Sequence, residues 1–327
     1  MKIFIPFKIK DIGGTSTFAN IFSENLRKND FNVTSEFEPD YDALFIIADC
    51  PLRYVLHAKI HGRKIIQRLD GIYHPATPFG KWYWMYNLKM KIIHNYFANF
   101  VIYQSNFSKL SCEKFLGKRN GIFEIIHNGV NLPSTKIKPA SENIIKLITF
   151  SQFRRKDQIV PMIEIMKNMP KNYTLDIYGS FEGEVSDLQT KIEKMENIKY
   201  KGKLQHSKLL SELSRYDIFL FSDQSACPNS VLEAMASGLA IVAFNRGSIG
   251  ELVKTGYNGE VIDLITNDAF SEPFPFSQQD YDAFRGSILR TVSNINNYKE
   301  ASKKEASDSF SLTKMMQKYY EVLRYRK

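Results

Sequence analysis

Short apolar runs alternate with amphipathic stretches along most of this chain. Runs of five to seven residues at 2–7, 31–35, 43–49, 64–69, 99–104 and 122–127 are rich in β-branched and aromatic residues and bounded by turn formers, as expected of buried strands. Between most of them, 16–29, 52–61, 81–98 and 106–116 repeat apolar positions every three or four residues and predict helices. The stretch NLPSTKIKPAS, 131–141, has two prolines, small polar residues and no periodicity, and reads as a linker. Beyond it the alternation resumes, with strands at 144–150, 173–178, 197–201, 217–221, 239–244 and 260–263 and helices at 157–168, 185–195, 206–215, 229–237 and 248–255. The part from 278 to 325 is helical by pattern and ends on the face Met315, Met316, Tyr319, Tyr320 and Leu323. Alternation of this kind predicts an α/β fold with two doubly wound parallel sheets. The expected division is 1–132, a linker at 133–141, 142–308, and a terminal helix at 309–327.

One stretch concentrates chemistry. SACPNSVLEAMASGLAIVAFNRGSIGELV, 225–253, reads as a loop, a short helix, a buried strand and a second glycine-rich turn. Pro228 pre-sets the first helical turn, so the backbone N–H groups of Asn229, Ser230 and Val231 face whatever lies above the sheet, and Gly238 ends the helix. A helix start at the carboxyl edge of a parallel sheet suits a phosphate, and Glu233 adds a carboxylate beside it. Spacing alone leaves the alternative open: Ala234, Ala236 and Gly238 also permit close packing, and Glu233 also suits an early-helix acid favoured by the helix dipole.

The same stretch resembles the nucleotide-sugar signature of family 4 glycosyltransferases, retaining enzymes of the GT-B fold. Three further segments recur in that family's order: MKIFIPFKIKDIGGTS at the start, HNGVN at 127–131 and TFSQFRRKD at 149–157. The resemblance implies two Rossmann-like domains facing each other across a cleft, the first on the acceptor side and the second holding the nucleotide-sugar, with the terminal helix crossing back to the first.

It also implies three groups of site residues. Arg154, Arg155 and Lys156 follow the strand KLITFSQ; Lys156 matches the family's lysine and Arg154 or Arg155 its arginine, while Asp157 stands where a glycine is usual. Such cations would stabilise charge developing on a departing diphosphate. Asn229, Ser230, Val231 and Glu233 form the second group, with Glu251 resembling a later loop acid. The family pairs two donor-binding glutamates; Glu233 matches the second, and Ser225 stands in place of the first, with Asp223 nearby. The third group is the turn Gly13, Gly14 and Thr15, together with Asp70 or His74 in the loop DGIYH, near the place where related enzymes carry a histidine by the reacting sugar.

Composition narrows the rest. The 327 residues suit two α/β domains. Three cysteines, Cys50, Cys112 and Cys227, are odd in number and lack metal-ligand spacing, as expected in a reducing cytoplasm. No apolar segment is long enough to span a bilayer, and a strand rather than a signal peptide opens the chain, so a cytoplasmic protein, free or peripheral on the inner membrane face, is expected. The net charge of +9 is spread along the chain without any nucleic-acid signature, so nucleic acid is not an expected partner. Lys81–Asn99 holds both tryptophans, Trp82 and Trp84, among tyrosines and lysines, which suits an anionic membrane surface; the same stripe also suits a domain core. His57 and His61, four apart, lack a third metal ligand, and Asp40-Tyr41-Asp42 precedes a buried strand where turn acids are expected.

No cofactor or metal is implied, because the nucleotide-sugar is a substrate and Arg and Lys take a cation's part. The expected function is retaining transfer of a sugar from a UDP- or GDP-sugar to a lipid-linked or glycan acceptor in surface polysaccharide assembly. The alternatives are a catalytically idle nucleotide-sugar-binding subunit, motivated by Ser225, and a nucleotide-sugar epimerase on the same fold.

Overall fold

The computed structural model describes residues 1–7, 14–75, 77, 80–134, 136–140, 143–265, 270 and 275–325. It divides into two compact units, one formed by Met1–Gly129 with Leu312–Lys327 and the other by Val130–Ser311.

The first unit is a six-stranded parallel sheet in the order β2-β1-β3-β4-β5-β6, comprising β1 (Lys2–Phe4), β2 (Asn32–Thr34), β3 (Ala43–Ile47), β4 (Lys64–Leu69), β5 (Phe100–Tyr103) and β6 (Ile122–Ile125). Helices α1 (Gly14–Lys28), α2 (Leu52–Ile60), α3 (Tyr83–Ile92) and α4 (Asn106–Phe115) connect these strands. β3 is buried at every residue, which is why it reads as an unbroken apolar run. The last helix, Leu312–Arg324, lays Met315, Met316, Tyr319, Val322 and Leu323 into the same apolar cluster as Phe45 of β3 and Phe18 and Phe22 of α1. Burying side chains of this size contributes about 1.5–3 kcal/mol each. Gly129 makes room for that helix: a Cβ there would lie 2.8 Å from both Leu312 Cα and Met315 Cβ.

The second unit repeats the plan with order β12-β11-β10-β7-β8-β9, using β7 (Ile145–Phe153), β8 (Tyr173–Phe181), β9 (Ile198–Gly202), β10 (Ile218–Phe221), β11 (Ala240–Phe244) and β12 (Gly259–Ile262). Its helices are α5 (Val160–Met166), α6 (Leu188–Ile192), α7 (His206–Leu213), α8 (Asn229–Ala236), α9 (Ile249–Leu252), α10 (Gln278–Val292) and α11 (Ile295–Phe310). Both faces of this sheet are covered by apolar clusters. Both units are therefore doubly wound, Rossmann-like sheets.

Some predicted helices differ in extent. The helix expected at 157–168 opens as a tight turn at Lys156–Gln158 and becomes α-helical only from Val160, with Pro161 in its first turn. The helical pattern from 278 to 325 is three helices, interrupted at Ser293-Asn294 and at Ser311. Ser311 is extended (φ −67°, ψ 147°) and bridges Val130 in parallel, so the second break falls where the chain leaves the second unit. The stretch 81–98 widens after Ile92 into a π-turn, Ile93–Phe97, that includes the buried His94, whose Nε2 lies 2.7 Å from the Tyr103 hydroxyl.

Candidate functional site

In the second unit the strand order reverses between β7 and β10, the first strand lying beside the one that starts the return. Ligands of open parallel sheets sit at the carboxyl ends of such a pair. The segments that leave those ends are 154–158 after β7 and 222–228 after β10.

Two arginines and two aspartates moor these segments. Arg155 binds both oxygens of Asp157 (2.9 and 3.1 Å) and donates to Asp223 Oδ1 at 2.7 Å. Arg246, just past β11, reaches Asp157 Oδ2 at 2.9 Å and the Ser222 carbonyl at 2.7 Å. Gln158 closes the cluster on Asp223 Oδ2 at 2.9 Å. The Arg246 and Asp157 side chains are almost fully buried, so each charge depends on its partner. Burial by itself raises the Asp157 carboxyl, but the hydrogen bond and charge of Arg155, joined by Arg246, outweigh it and hold the group below the ordinary carboxylate range. Asp157, where the resembled family has a glycine, therefore serves as the hub that ties three loops together.

That arrangement sorts the three cations after β7. Arg155 is committed to carboxylates. Arg154 is exposed, donates to Gln152 Oε1 at 2.6 Å and lies 3.6 Å from Glu182. Lys156 is exposed, and its ammonium makes no hydrogen bond or ion pair among the described residues.

The helix after β10 supplies the second group. α8 begins at Asn229 behind Pro228 (φ −72°, ψ 116°), whose own side chain supplies no cap. Asn229 and Ser230 are half-buried and Val231 is buried. By helix geometry the first-turn N–H groups point out of this end and carry the positive end of the helix dipole. Glu233, one turn on, is half-buried and accepts a 2.9 Å hydrogen bond from His206 Nε2, at the start of α7. Ser225 is half-buried, and its carbonyl accepts the Ser248 N–H at 3.0 Å. Gly247 (φ +66°) lies flush against it, since a Cβ would come within 2.3 Å of the Ser225 oxygen. Glu251 is half-buried in α9, and its N–H donates to the Ser248 carbonyl at 2.9 Å. The loops bearing Lys156, Ser225, the α8 start, Gly247 and His206 thus all leave the carboxyl edge of one sheet.

The candidates of the first unit also come together in part. Gly13 lies outside the described residues, and Gly14 is the first residue of α1. Thr15 Oγ1 donates to Asp70 Oδ2 at 3.0 Å, and Asp70 Oδ1 accepts from Arg68. Arg68 is fully buried, stacks 3.5 Å over the Phe18 ring and also binds the Tyr319 hydroxyl (3.0 Å) and Asn128 Oδ1 (2.9 Å). His74 stacks on Phe115 at 5.8 Å, and its carbonyl accepts from Thr77 Oγ1 at 2.6 Å. Sequence reasoning passed over Arg68, Arg246 and His206. The first two had a signal, a charge at or just past the end of an otherwise apolar strand; His206 had none.

Other residues have structural roles. Lys2 binds Glu38 (2.5 Å) and Asp40 (2.6 Å), and its N–H binds Asp42. His57 pairs with the Tyr41 hydroxyl at 2.9 Å, and His61 with the His57 carbonyl. All three cysteines are buried, and burial pushes the Cys50 thiol up to about 12, away from thiolate reactivity. The stripe at 81–98 divides. Met90 and Ile93 are buried, whereas Trp82, Trp84, Met85, Tyr86 and Leu88 are each 48–54% exposed. Among the described residues no helix is long and apolar enough to cross a membrane.

Residues 145–273 match the model of a family described as glycosyl transferases group 1. No curated protein matches the chain in sequence. Several solved structures share its fold over nearly the whole length. The Anabaena protein Alr3699/HepE in complex with UDP aligns with TM-score 0.71 at 14% identity, covering 98% of this chain and 99% of that one. Sucrose-phosphate synthase from Thermosynechococcus elongatus aligns at 0.74 and 13%, covering 99% and 98%. The lipopolysaccharide outer core galactosyltransferase WaaB, in its apo form, aligns at 0.72 and 13%, covering 99% of each chain. The chain thus shares the fold of these structures, two Rossmann-like units in the GT-B order, and its segment 145–273 is similar to the group 1 glycosyl transferases.

Proposed function

We propose that the protein moves a sugar from a nucleotide diphosphate donor to a lipid-linked or glycan acceptor with retention of anomeric configuration. The observation that carries this reading is the pairing, at the strand reversal of the second unit, of a helix start behind Pro228 with an exposed lysine on the adjacent loop. The two offer amide protons and an ammonium to the same anionic group. Structures with this fold that hold UDP or UDP-glucose, as in Alr3699/HepE, support a nucleotide-sugar donor.

Lys156, with Arg154 at the loop's edge, would neutralise charge on the departing β-phosphate, and the α8 start would hold the diphosphate. Glu233 would accept the ribose hydroxyls. Arg155, held by Asp157 and Asp223, would shape the loop rather than touch the donor. Front-face substitution, in which the leaving phosphate takes the acceptor's proton, asks only for positioning and electrostatics, so we propose transfer without a metal. Thr15 and Asp70, joined by a hydrogen bond, would act on the acceptor side of the first unit. We further propose that the protein works in the cytoplasm in surface polysaccharide assembly, with the aromatic and lysine-rich surface around Trp82 and Trp84 resting on the anionic inner membrane face.

A panel of UDP- and GDP-sugars incubated with membrane extract tests the proposal, read as release of nucleoside diphosphate and label transfer. Lys156→Ala should cut turnover about 10²–10³-fold. Turnover left intact in both Lys156→Ala and Glu233→Ala would refute the site. The reading of an idle binding subunit, favoured by Ser225 in place of a glutamate, predicts tight nucleotide binding without turnover.

A further inference from the structure

Glu233 does not stand alone at the end of its side chain. His206 opens α7, and its Nε2 lies 2.9 Å from Glu233 Oε1. The imidazole is 60% exposed and the carboxylate 14% exposed, so the acid sits inward and the ring covers it from the solvent side. The pair joins the first turn of one helix to the second turn of another, and neither side chain belongs to the apolar clusters of the unit.

We propose that His206 is a positioning residue for Glu233, whose imidazolium fixes the carboxylate for the donor's ribose hydroxyls and adds a positive charge beside an anionic nucleotide. The inference rests on Glu233 being the ribose acid in the function proposed above. The two oxygens of a carboxylate offer about four acceptor sites, so one bond to His206 leaves room for a ribose diol while removing the freedom of the group to rotate.

Of the charges around His206, Glu233 is the one that acts on it, and α11, which packs on α8, keeps Lys299 on Asp217 at 3.0 Å and Glu305 on Lys254 at 2.9 Å. On α8, Glu233 is the sole ionisable side chain. On α7, Glu212 is held by Arg215 at 2.7 Å, and Lys208 is exposed. In the loop ahead of α7, Lys203 faces Glu182 at 3.7 Å, and in the loop ahead of α8, Asp223 is held by Arg155. The hydrogen bond to Glu233 raises His206 above its ordinary value, against a smaller opposing effect of burial. A raised value means that the ion pair is complete below the ordinary histidine pKa of about 6.5 and is lost as pH rises through the native value. Nucleotide affinity should therefore fall as pH rises through that native value.

The experiment is calorimetric titration of the full chain with UDP and with GDP between pH 6 and pH 9, using wild type, His206→Gln, His206→Ala and Glu233→Ala, with melting curves to confirm folding. The nucleotide's own phosphate ionisation is common to all four, so differences between profiles belong to the pair. Wild type should lose about tenfold in affinity across the range beyond that common change. His206→Gln, which retains a donor without a titrating charge, should remove this extra pH dependence, and His206→Ala should bind weakly at every pH. If His206→Gln keeps the wild-type profile, or His206→Ala binds like wild type while Glu233→Ala does not, the positioning role is refuted and the donor site stands. If Glu233→Ala binds both nucleotides as wild type does, or wild type binds neither, the donor site itself falls and the inference with it.

Discussion

Replacing Arg246 with methionine tests how the loops around the candidate site are held. The guanidinium gives Asp157 one of its three charged hydrogen bonds and caps the Ser222 carbonyl, with both ionic side chains almost fully out of water. Removing one partner of a buried pair usually costs about 3–5 kcal/mol, because the remaining charge is left uncompensated. Arg155 still faces Asp157 in the variant, so the lower end, about 3 kcal/mol, is expected, a large share of the roughly 5–15 kcal/mol that holds a typical protein. Both tryptophans lie in the first unit, so urea unfolding should be followed by far-ultraviolet circular dichroism, which also reports the second unit. Asp157→Asn and the double variant complete a cycle, in which the double should cost at least 1 kcal/mol less than the sum of the singles. The depressed Asp157 carboxyl adds a sign: its contribution is complete above the ordinary aspartate value of about 3.9 and is lost as pH falls through the lower native value. The gap between wild type and variant should therefore hold from pH 7 to pH 5 and close only in stronger acid. A loss below about 1 kcal/mol at pH 7, or additive single variants, would refute the mooring argument.

Gly247→Ala should weaken nucleotide binding more than it lowers the melting temperature, because a Cβ would press the loop away from the Ser225 carbonyl; equal affinity to wild type by titration would count against a role for that contact. Tyr319→Phe should cost about 1–3 kcal/mol by leaving the buried Arg68 Nε without its 3.0 Å partner, measured by tryptophan fluorescence during urea unfolding of the first unit. Gly129→Ala should destabilise that unit by displacing the start of the last helix, seen as a lower melting temperature, and an unchanged value would show that the helix can shift without cost. Trp82→Ser with Trp84→Ser should abolish sedimentation with vesicles rich in phosphatidylglycerol; retention at the wild-type level would remove the membrane proposal.

The strands were legible because their signal is local. Ala43–Ile47 and Ala240–Phe244 are apolar at every position, and only a strand covered on both faces accommodates that. The helix after β10 was equally plain, from Pro228 at its start to Gly238 (φ +76°) past its end. The last fifty residues were harder, since three amphipathic helices in series share one periodicity, and the break at Ser311 follows from where the chain changes units. The tryptophan stripe was ambiguous for the opposite reason: spacing locates an apolar face, but neighbours decide how much of it is covered.

Taken by itself, the order of residues determined two doubly wound sheets and the local setting of Lys156 and Ser225 on loops and of Glu233 in a helix, because propensity and periodicity act between residues a few positions apart. Tertiary structure decided the pairing of those charges. Asp157 meets Arg246 across 89 positions, His206 meets Glu233 across 27, and Arg68 meets Tyr319 across 251. Whether a cation is committed to a carboxylate or left open to a ligand depends on which carboxylates the sheet edge brings within 3 Å and how much water it removes. A linear pattern carries neither quantity.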